Sequence, residues 1–159
     1  MHSANKLNKT IFMVTLPLNL SRKEIDDLLF NSFRAIYQFE QDKVHCFGLN
    51  YDAIFLLQFL CRKSPSTMGE ISKEMQVPVS TATRVVDRLA ARGMVSRKKD
   101  AKDKRIVRVS LDAQGEHLVR AVEDHSFDVI LKNFSGLSQN EMKAVLTTAR
   151  LMDKLLRNR

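Results

Sequence analysis

The chain concentrates its positive charge in one segment. Of its 26 Lys and Arg residues, 13 lie between Arg62 and Arg108, together with only five of its 18 Asp and Glu residues. This segment therefore carries the whole formal net charge of +8, and the parts that flank it are neutral. Clustered Lys and Arg side chains neutralise phosphates and release counterions, whether the partner is DNA, RNA or an anionic membrane surface. The charge pattern indicates a polyanionic partner.

Within this segment, hydroxyl side chains and arginines are spaced so that they share one face of a predicted helix. From Val79 to Arg92, apolar residues form one stripe and polar residues share the opposite face. Hydroxyl groups in the first turn of such a helix suit phosphates and base edges, and a guanidinium can bond guanine bidentately. The candidate nucleic-acid contacts on this helix are Ser80, Thr81, Thr83, Arg84 and Arg88.

A second basic group lies in a predicted β-hairpin. Met94 to Lys99 and Arg105 to Leu111 flank a charged tip, and in the second run Val107, Val109 and Leu111 alternate with polar residues at strand period. Lysines in and beside the tip suit contacts to phosphates. These lysines are Lys98, Lys99, Lys102 and Lys104.

The elements that must position these residues are mainly helical. Capping-box pairs, in which a hydroxyl residue is followed three residues later by Glu, mark helix starts at Ser21, Thr67 and Ser138. The predicted helices run from Ser21 to about Lys43, from Tyr51 to Arg62, from Thr67 to Met75, from Val79 to Arg92, from Ala113 to Phe134, and from Ser138 towards the end of the chain. The Tyr51 to Arg62 helix is apolar on most sides, which is typical of a buried centre.

Two short helices joined by a tight turn, the second polar and rich in Arg, predict a helix-turn-helix. The order of elements then predicts a mainly α fold with a small β-hairpin wing, in a single domain over residues 1–159. A winged helix-turn-helix lobe, residues 50–112, would be flanked by N- and C-terminal helical arms, residues 1–49 and 113–159. The arms are neutral and rich in Leu, Phe and Met, as expected of dimerisation helices.

Other classes of protein fit the sequence poorly. It contains no Gly-rich phosphate loop, no Gly-x-Ser-x-Gly motif and no Cys-x-x-Cys pair, and its four His are scattered, so we expect neither an enzyme nor a cofactor. Two Cys residues suit a reduced, cytoplasmic compartment. The longest apolar run, Ala53 to Cys61, has about half the length of a membrane span, so we expect no membrane partner.

The stretch from Met68 to Gly115 resembles the MarR family of bacterial transcriptional regulators. The matching residues are Thr83 to Leu89, Gly93 to Val95, Asp103 to Arg105, Val109 to Leu111, and Gly115. The family pattern has an acid, any residue and an Arg in the wing, followed by an apolar-Thr pair and a Gly. Here Asp112 takes the place of that Thr, and we expect its side chain to cap the following helix in the same way.

The resemblance implies a homodimer whose N- and C-terminal helices pack together and whose two lobes bind adjacent major grooves of double-stranded DNA. A symmetric dimer reads half-sites about one helical turn apart, so the expected operator is pseudo-palindromic. In the wing, Arg105 matches the family arginine that enters the minor groove, where narrow A·T tracts concentrate negative potential. We expect Asp103 to orient it. The implied function is a transcriptional regulator, as a repressor that a small-molecule effector releases.

Effector pockets in the family lie between the arms and the winged lobe, and the residues expected to line one here are Tyr37, Phe39, His45, Phe55 and Phe59. Cys46, near a helix end, is a candidate redox sensor, although a structural role is the alternative. Cys61, within an apolar helix, is expected to be a small core residue. His117 and His125 are eight residues apart, which is poor spacing for one metal site, so no metal is expected.

Two alternatives share the basic patch. A non-specific architectural DNA-binding protein would show the same charge but no preference among DNA sequences. An RNA-binding module would need aromatic residues on its sheet to stack bases, and the hairpin from Met94 to Leu111 contains none.

Overall fold

A computed structural model describes residues 20–156 of the chain; residues 1–19 and 157–159, at the outer ends of the two predicted arms, lie outside the described residues. The part of the chain that the structure describes falls into two compact units, the first ending at Glu40 and the second beginning at Gln41. The helices and strands are α1 (Arg22–Phe47), α2 (Tyr51–Arg62), β1 (Ser66–Thr67), α3 (Met68–Met75), α4 (Val79–Ala91), β2 (Val95–Lys99), β3 (Val107–Leu111), α5 (Ala113–Phe134) and α6 (Gln139–Leu156).

Helix α1 begins at the predicted capping box. Glu24 Oε2 accepts a hydrogen bond from the Ser21 backbone N–H at 2.7 Å, and the Glu24 backbone N–H donates to Ser21 Oγ at 3.3 Å. The helix continues to Phe47, past the predicted end near Lys43, and stops at Gly48, whose φ of 61° is a left-handed conformation. Within the first unit, α1 exposes large apolar side chains: Leu28, Leu29, Phe30, Phe33, Ile36 and Tyr37.

The core of the second unit is built around α2. Leu56, Leu57 and Leu60 are fully buried, which confirms the prediction that this helix is the buried centre. The side chains that complete the core come from α3, α4, β3 and α5 and include Ile71, Val85, Val86, Leu89, Val109, Val119 and Val122. The prediction that Cys61 is a core residue is wrong: it is exposed, because it lies beyond Leu60, the last buried residue of α2, where it lines a surface cavity of about 170 Å³.

The wing is part of a three-stranded antiparallel sheet with strand order β1-β3-β2. The predicted hairpin is present, with Val95 opposite Leu111 and Lys99 opposite Val107. The third strand, β1, pairs Ser66 with Val109. Two residues are too few to show a period-two pattern, so this strand had no sequence signal.

The start of α5 is attached to the wing. Asp112 precedes α5, but its side chain makes no capping hydrogen bond. Its carboxylate instead accepts a hydrogen bond from Ser96 Oγ on β2 at 2.8 Å, so the prediction that it caps α5 is wrong. The hydroxyl of Ser96 lies within reach, and the carboxylate joins the two elements.

Helices α5 and α6 leave apolar residues exposed within the second unit. The exposed apolar side chains are Phe127, Ile130, Leu131, Val145, Leu146, Leu151, Leu155 and Leu156. Across residues 20–156 no single helix combines the length and the apolar composition needed to cross a membrane; only α1 and α2, counted together across the bend that separates them, meet both criteria.

Candidate nucleic-acid interface

Helix α3 and the turn after it set the position of α4. Thr67 and Glu70 form the predicted capping box: the Glu70 backbone N–H donates to Thr67 Oγ1 at 3.2 Å, and Glu70 Oε2 accepts from the Thr67 backbone N–H at 2.8 Å. Gln76 ends α3 in a left-handed conformation, with a φ of 53°. Ser72 Oγ donates to the backbone oxygen of Val77 at 2.7 Å and closes the turn. Together these bonds make the predicted helix-turn-helix.

Helix α4 buries one face and presents the other. Ala82, Val85, Val86 and Leu89 are buried, as the periodicity predicts. Among the described residues, the exposed guanidinium groups of Arg84 and Arg88 make no salt bridge. Their donors are therefore available to an incoming ligand.

The predicted hydroxyl residues of α4 differ in their freedom to bond a ligand. Ser80 is exposed, and Thr81 is half-buried. Thr83 is also half-buried, and its Oγ1 donates to the Val79 backbone oxygen at 2.8 Å, so its proton is used inside the helix. A shallow cavity of about 400 Å³ runs along this flank of α4, lined by Asp52, Thr81, Arg84, Val85, Asp87 and Arg88.

The tip of the wing is organised by a carboxylate. Asp100 forms an ion pair with Arg108 on β3 and accepts hydrogen bonds from the backbone N–H groups of Lys102, at 2.9 Å, and Asp103, at 3.1 Å. The predicted basic residues of the wing, Lys98, Lys99, Lys102, Lys104 and Arg105, are all exposed. The wing therefore presents five exposed cations, Lys98 and Lys99 on β2 and the other three on the folded tip.

Asp103 acts on Arg105 through the backbone. Its Oδ1 accepts a hydrogen bond from the Arg105 backbone N–H at 2.9 Å. We expected this carboxylate to orient the guanidinium; it fixes the main chain instead, since a side chain two residues before Arg105 closes an Asx-type turn. The guanidinium of Arg105 forms no salt bridge with any described residue.

Ion pairs lower the pKa of two carboxyl groups beside the interface. The pKa of Glu70 falls from 4.5 to about 2, chiefly because Lys63 Nζ bonds the carboxylate at 2.7 Å and secondarily through the Thr67 backbone N–H. The pKa of Asp100 falls from 3.8 to about 2, chiefly through the bond from Arg108 and then through the backbone N–H groups of Asp103 and Lys102. Both groups are held ionised at neutral pH.

Two arginines that order the interface are not among the predicted site residues. Arg108 holds the wing tip through Asp100, and Arg97 on β2 reaches α4, where it pairs with Asp87 at 2.6 Å. A signal for Arg97 was present, because strand alternation places it on the same face of β2 as the buried Val95, towards the helix.

The residues predicted to line an effector pocket belong to both units. Tyr37, which is exposed, and Phe39, which is half-buried, lie in residues 1–40. In the second unit His45 is exposed, and Phe59 packs against the core. Phe55 stacks on Tyr51, with ring centroids 6.1 Å apart, and lines a cavity of about 210 Å³ that also has Asp52, Glu74, Met75 and Gln76 in its wall.

The redox and metal candidates occupy separate places. Cys46 is exposed near the end of α1. His125 packs edge-on against Phe47, with ring centroids 5.7 Å apart, and His117 is exposed on α5. Across residues 20–156, no three His, Cys, Asp or Glu side chains converge as metal ligands.

Comparison with known proteins connects this interface to a family. A family model described as the MarR family matches residues 47–106, which span α2 to the wing. YsmB of Bacillus subtilis strain 168, an uncharacterized HTH-type transcriptional regulator, is 31% identical over 86 residues, which are 54% of this chain and 59% of YsmB. The chain therefore spans less than two thirds of the length of YsmB.

YcgE from the same strain, also an uncharacterized HTH-type transcriptional regulator, is 30% identical over 117 residues, which are 69% of this chain and 76% of YcgE. The structure of FabT from Streptococcus pneumoniae in complex with DNA has a TM-score of 0.71 and 18% identity, over 86% of this chain and 97% of that one. This likeness shows the shared fold and confirms the predicted winged helix-turn-helix. The sequence relatives are transcriptional regulators rather than enzymes.

Proposed function

This chain belongs to the MarR family of transcriptional regulators, and from that premise we propose that it binds double-stranded DNA sequence-specifically, as a dimeric repressor that a small-molecule effector releases. Residues 50–112 are the DNA-binding lobe in this proposal, and residues 1–49 and 113–159 are the dimerisation arms.

The proposal rests on two groups of exposed basic residues in the same lobe, one on α4 and one in the wing. Helix α4 presents Arg84 and Arg88 without salt bridges among the described residues, and the wing presents Arg105 together with four exposed lysines. An α-helix fits the major groove, and an arginine at a wing tip fits a narrow minor groove. FabT, which shares the fold, has been seen in complex with DNA.

In the lobe we assign base contacts to Arg84 and Arg88, since each can bond guanine bidentately. Ser80 and Thr81 contact phosphates or base edges at the start of α4. Thr83, whose hydroxyl proton is bonded to the Val79 backbone oxygen, accepts a hydrogen bond from a base edge. Arg105 enters the minor groove, and Lys98, Lys99, Lys102 and Lys104 contact phosphates. Asp103 shapes the loop that carries Arg105.

The exposed apolar residues of α1, α5 and α6 support a homodimer. Phe30 and Phe33 on α1 and Leu155 on α6 are each more than 60% exposed in the single chain. Apolar area of this extent is characteristic of an interaction surface. A twofold dimer brings two identical lobes to two half-sites, so the operator is a pseudo-palindrome.

Release by an effector requires differential affinity. A ligand that favours a lobe spacing unsuited to the operator must bind that state several kcal/mol more tightly in order to empty the operator. The predicted pocket residues Tyr37, Phe39, His45, Phe55 and Phe59 are our candidates for its contacts. The cavity beside Phe55 has carboxylate and aromatic groups in its wall.

The test is a fluorescence anisotropy titration on DNA from upstream of the protein's own gene and on random duplex, at two salt concentrations. A regulator is expected to prefer its operator by about a thousandfold or more. If the protein binds both DNAs with similar affinity and both affinities fall steeply with salt, the next step is a selection of bound sites from the whole genome. No enriched sequence in that selection would establish the architectural, non-specific function instead.

A further inference from the structure

Arg97 connects the middle of the wing to the middle of α4. Its Nη1 lies 2.6 Å from Asp87 Oδ1, and its Nη2 donates to the backbone oxygen of Thr83 at 3.2 Å. Thr83 and Asp87 are one helical turn apart, so one guanidinium fork holds two groups on the same flank of the helix. A lysine could not make both contacts with the same fixed geometry.

The strand geometry directs this contact. Arg97 lies at the centre of β2, opposite Val109, and alternation places its side chain on the face of Val95. Val95 is buried, whereas Lys98 projects from the opposite face. The side chain of Arg97 is 32% exposed, so the bonds to α4 are partly shielded from water.

The contact also neutralises a carboxylate on the surface that would face DNA. The side chain of Asp87 is 53% exposed and lies three residues from Arg84 on the polar face of α4. An unpaired carboxylate in this position would repel phosphates. The guanidinium of Arg97 offsets that charge and fixes where it points.

We propose that Arg97 is a positioning residue that holds the wing and α4 together as one rigid unit, so that both contact DNA in a fixed arrangement. It sets the distance between the wing tip and the polar face of α4, so that Arg105 and Arg84 engage their grooves together. The part of this inference that concerns DNA rests on the proposed function; the mechanical part concerns the protein alone.

The mechanical part is tested without DNA. Spin labels are placed at Ser80→Cys and Lys102→Cys in a Cys46→Ser, Cys61→Ser background, and labelled chain is diluted with unlabelled chain so that only distances within one protomer are measured. With Arg97 present we expect one narrow distance distribution between the labels. Arg97→Gln should broaden it, while Lys98→Gln, which removes the same charge from the opposite face of β2, should leave it narrow.

Two further variants separate coupling from folding. Arg97→Lys keeps the charge but not the fork, so the distribution should have intermediate width. Asp87→Ala removes the acceptor of the ion pair on α4 and should broaden the distribution even if Arg97→Gln fails to fold. An unchanged width in Asp87→Ala, and in Arg97→Gln where it folds, would overturn the inference.

The DNA part is tested as a double-mutant cycle. The loss of operator affinity caused by Arg105→Ala is measured in the native protein and in the Arg97→Gln background. If the wing is not held to α4, Arg105 is not kept in position to contact the minor groove. We therefore expect this loss to be about fivefold smaller in the Arg97→Gln background. In a Lys73→Gln background, which removes one exposed charge from α3, it should keep its full size.

If Arg105→Ala lowers operator affinity equally in the native and Arg97→Gln backgrounds, Arg97 does not couple the DNA contacts of α4 and the wing. If the native protein selects no DNA sequence, the proposed function fails. The spin-label distances still decide whether Arg97 holds the wing to α4, so the two failures are distinguishable.

Discussion

Gly115, in the first turn of α5, packs directly against the backbone of Met94: a Cβ at position 115 would lie 2.3 Å from the Met94 carbonyl oxygen. The same oxygen accepts the backbone N–H of Asp112 at 3.0 Å. The position would also bring a Cβ within 2.8 Å of the Leu111 Cδ1 atom. Backbone, rather than a flexible side chain end, forms the closest wall, so the wing and α5 join at a fixed spacing that only glycine permits.

We therefore expect Gly115→Ala to lower the free energy of unfolding by about 1 to 3 kcal/mol, the usual cost of overpacking. Urea denaturation followed by circular dichroism measures this change. The matched control is Gly69→Ala in α3, where a Cβ would meet only Thr67 Oγ1, at 4.0 Å. There we expect no loss, or a gain of up to about 1 kcal/mol, because alanine favours the helix. Equal stability of the two variants would contradict the close approach.

The helices and the hairpin could be predicted because their signals are local. Capping boxes at Ser21, Thr67 and Ser138 are each completed by the Glu three residues later, and all three are present in the structure. The apolar stripe of α4 is buried as its periodicity requires. Local hydrogen bonding and helical periodicity depend on neighbouring residues, which the sequence displays directly.

The partners in contacts that join different elements could not be predicted, even where strand alternation gave the face of a side chain. Asp112 bonds Ser96 instead of capping α5, and Arg97 pairs with Asp87 ten residues away. A carboxylate has several possible donors, and which one it meets depends on how strands and helices pack. The exposed cations of α4 and the wing could be predicted from residue type alone, whereas the pairs Arg97–Asp87 and Arg108–Asp100 depend on how the strands and helices pack.

Arg84→Ala should remove preference at one base position. Its guanidinium is exposed on α4, and a bidentate contact to guanine is worth about 1 to 3 kcal/mol of discrimination. Affinities for an operator and for its single-base variants measure this effect. Lys102→Ala is the control. Because we assign Lys102 to a phosphate, this change should weaken binding to all sequences alike and reduce the slope of log affinity against log salt concentration by about 1. A uniform loss for Arg84→Ala would make that residue a phosphate contact as well.

Arg105→Ala should weaken operator binding without changing the oligomeric state or the fold. The guanidinium forms no salt bridge among the described residues, so its removal leaves no buried partner unpaired. The loss should be largest on operators with A·T base pairs under the wing, where the narrow minor groove attracts arginine. Anisotropy measures the affinity, and sedimentation measures the assembly. Unchanged affinity would exclude the minor-groove contact.

Acid should destabilise the fold over a defined range of pH. The pKa of Glu70 is about 2 in the folded chain, against an ordinary value of 4.5, and the pKa of Asp100 is about 2 against 3.8. Between these values the unfolded chain binds more protons than the folded chain, so stability rises with pH. The contribution of both groups is complete above about pH 4.5 and is lost as the pH falls towards 2.

Urea denaturation at a series of pH values from 6 to 3 tests this pH dependence, with the midpoint expected to fall steadily below pH 4.5. Glu70→Gln should flatten the profile, because the bond from Lys63 that lowers the pKa no longer meets a carboxylate. Glu24 and Glu141, whose pKa values are lowered by Ser21 and Ser138, add to the slope that remains. Glu123→Gln removes one exposed carboxylate from α5 and controls for net charge. If both variants keep the native profile, the ion pair at Glu70 does not link folding to protonation.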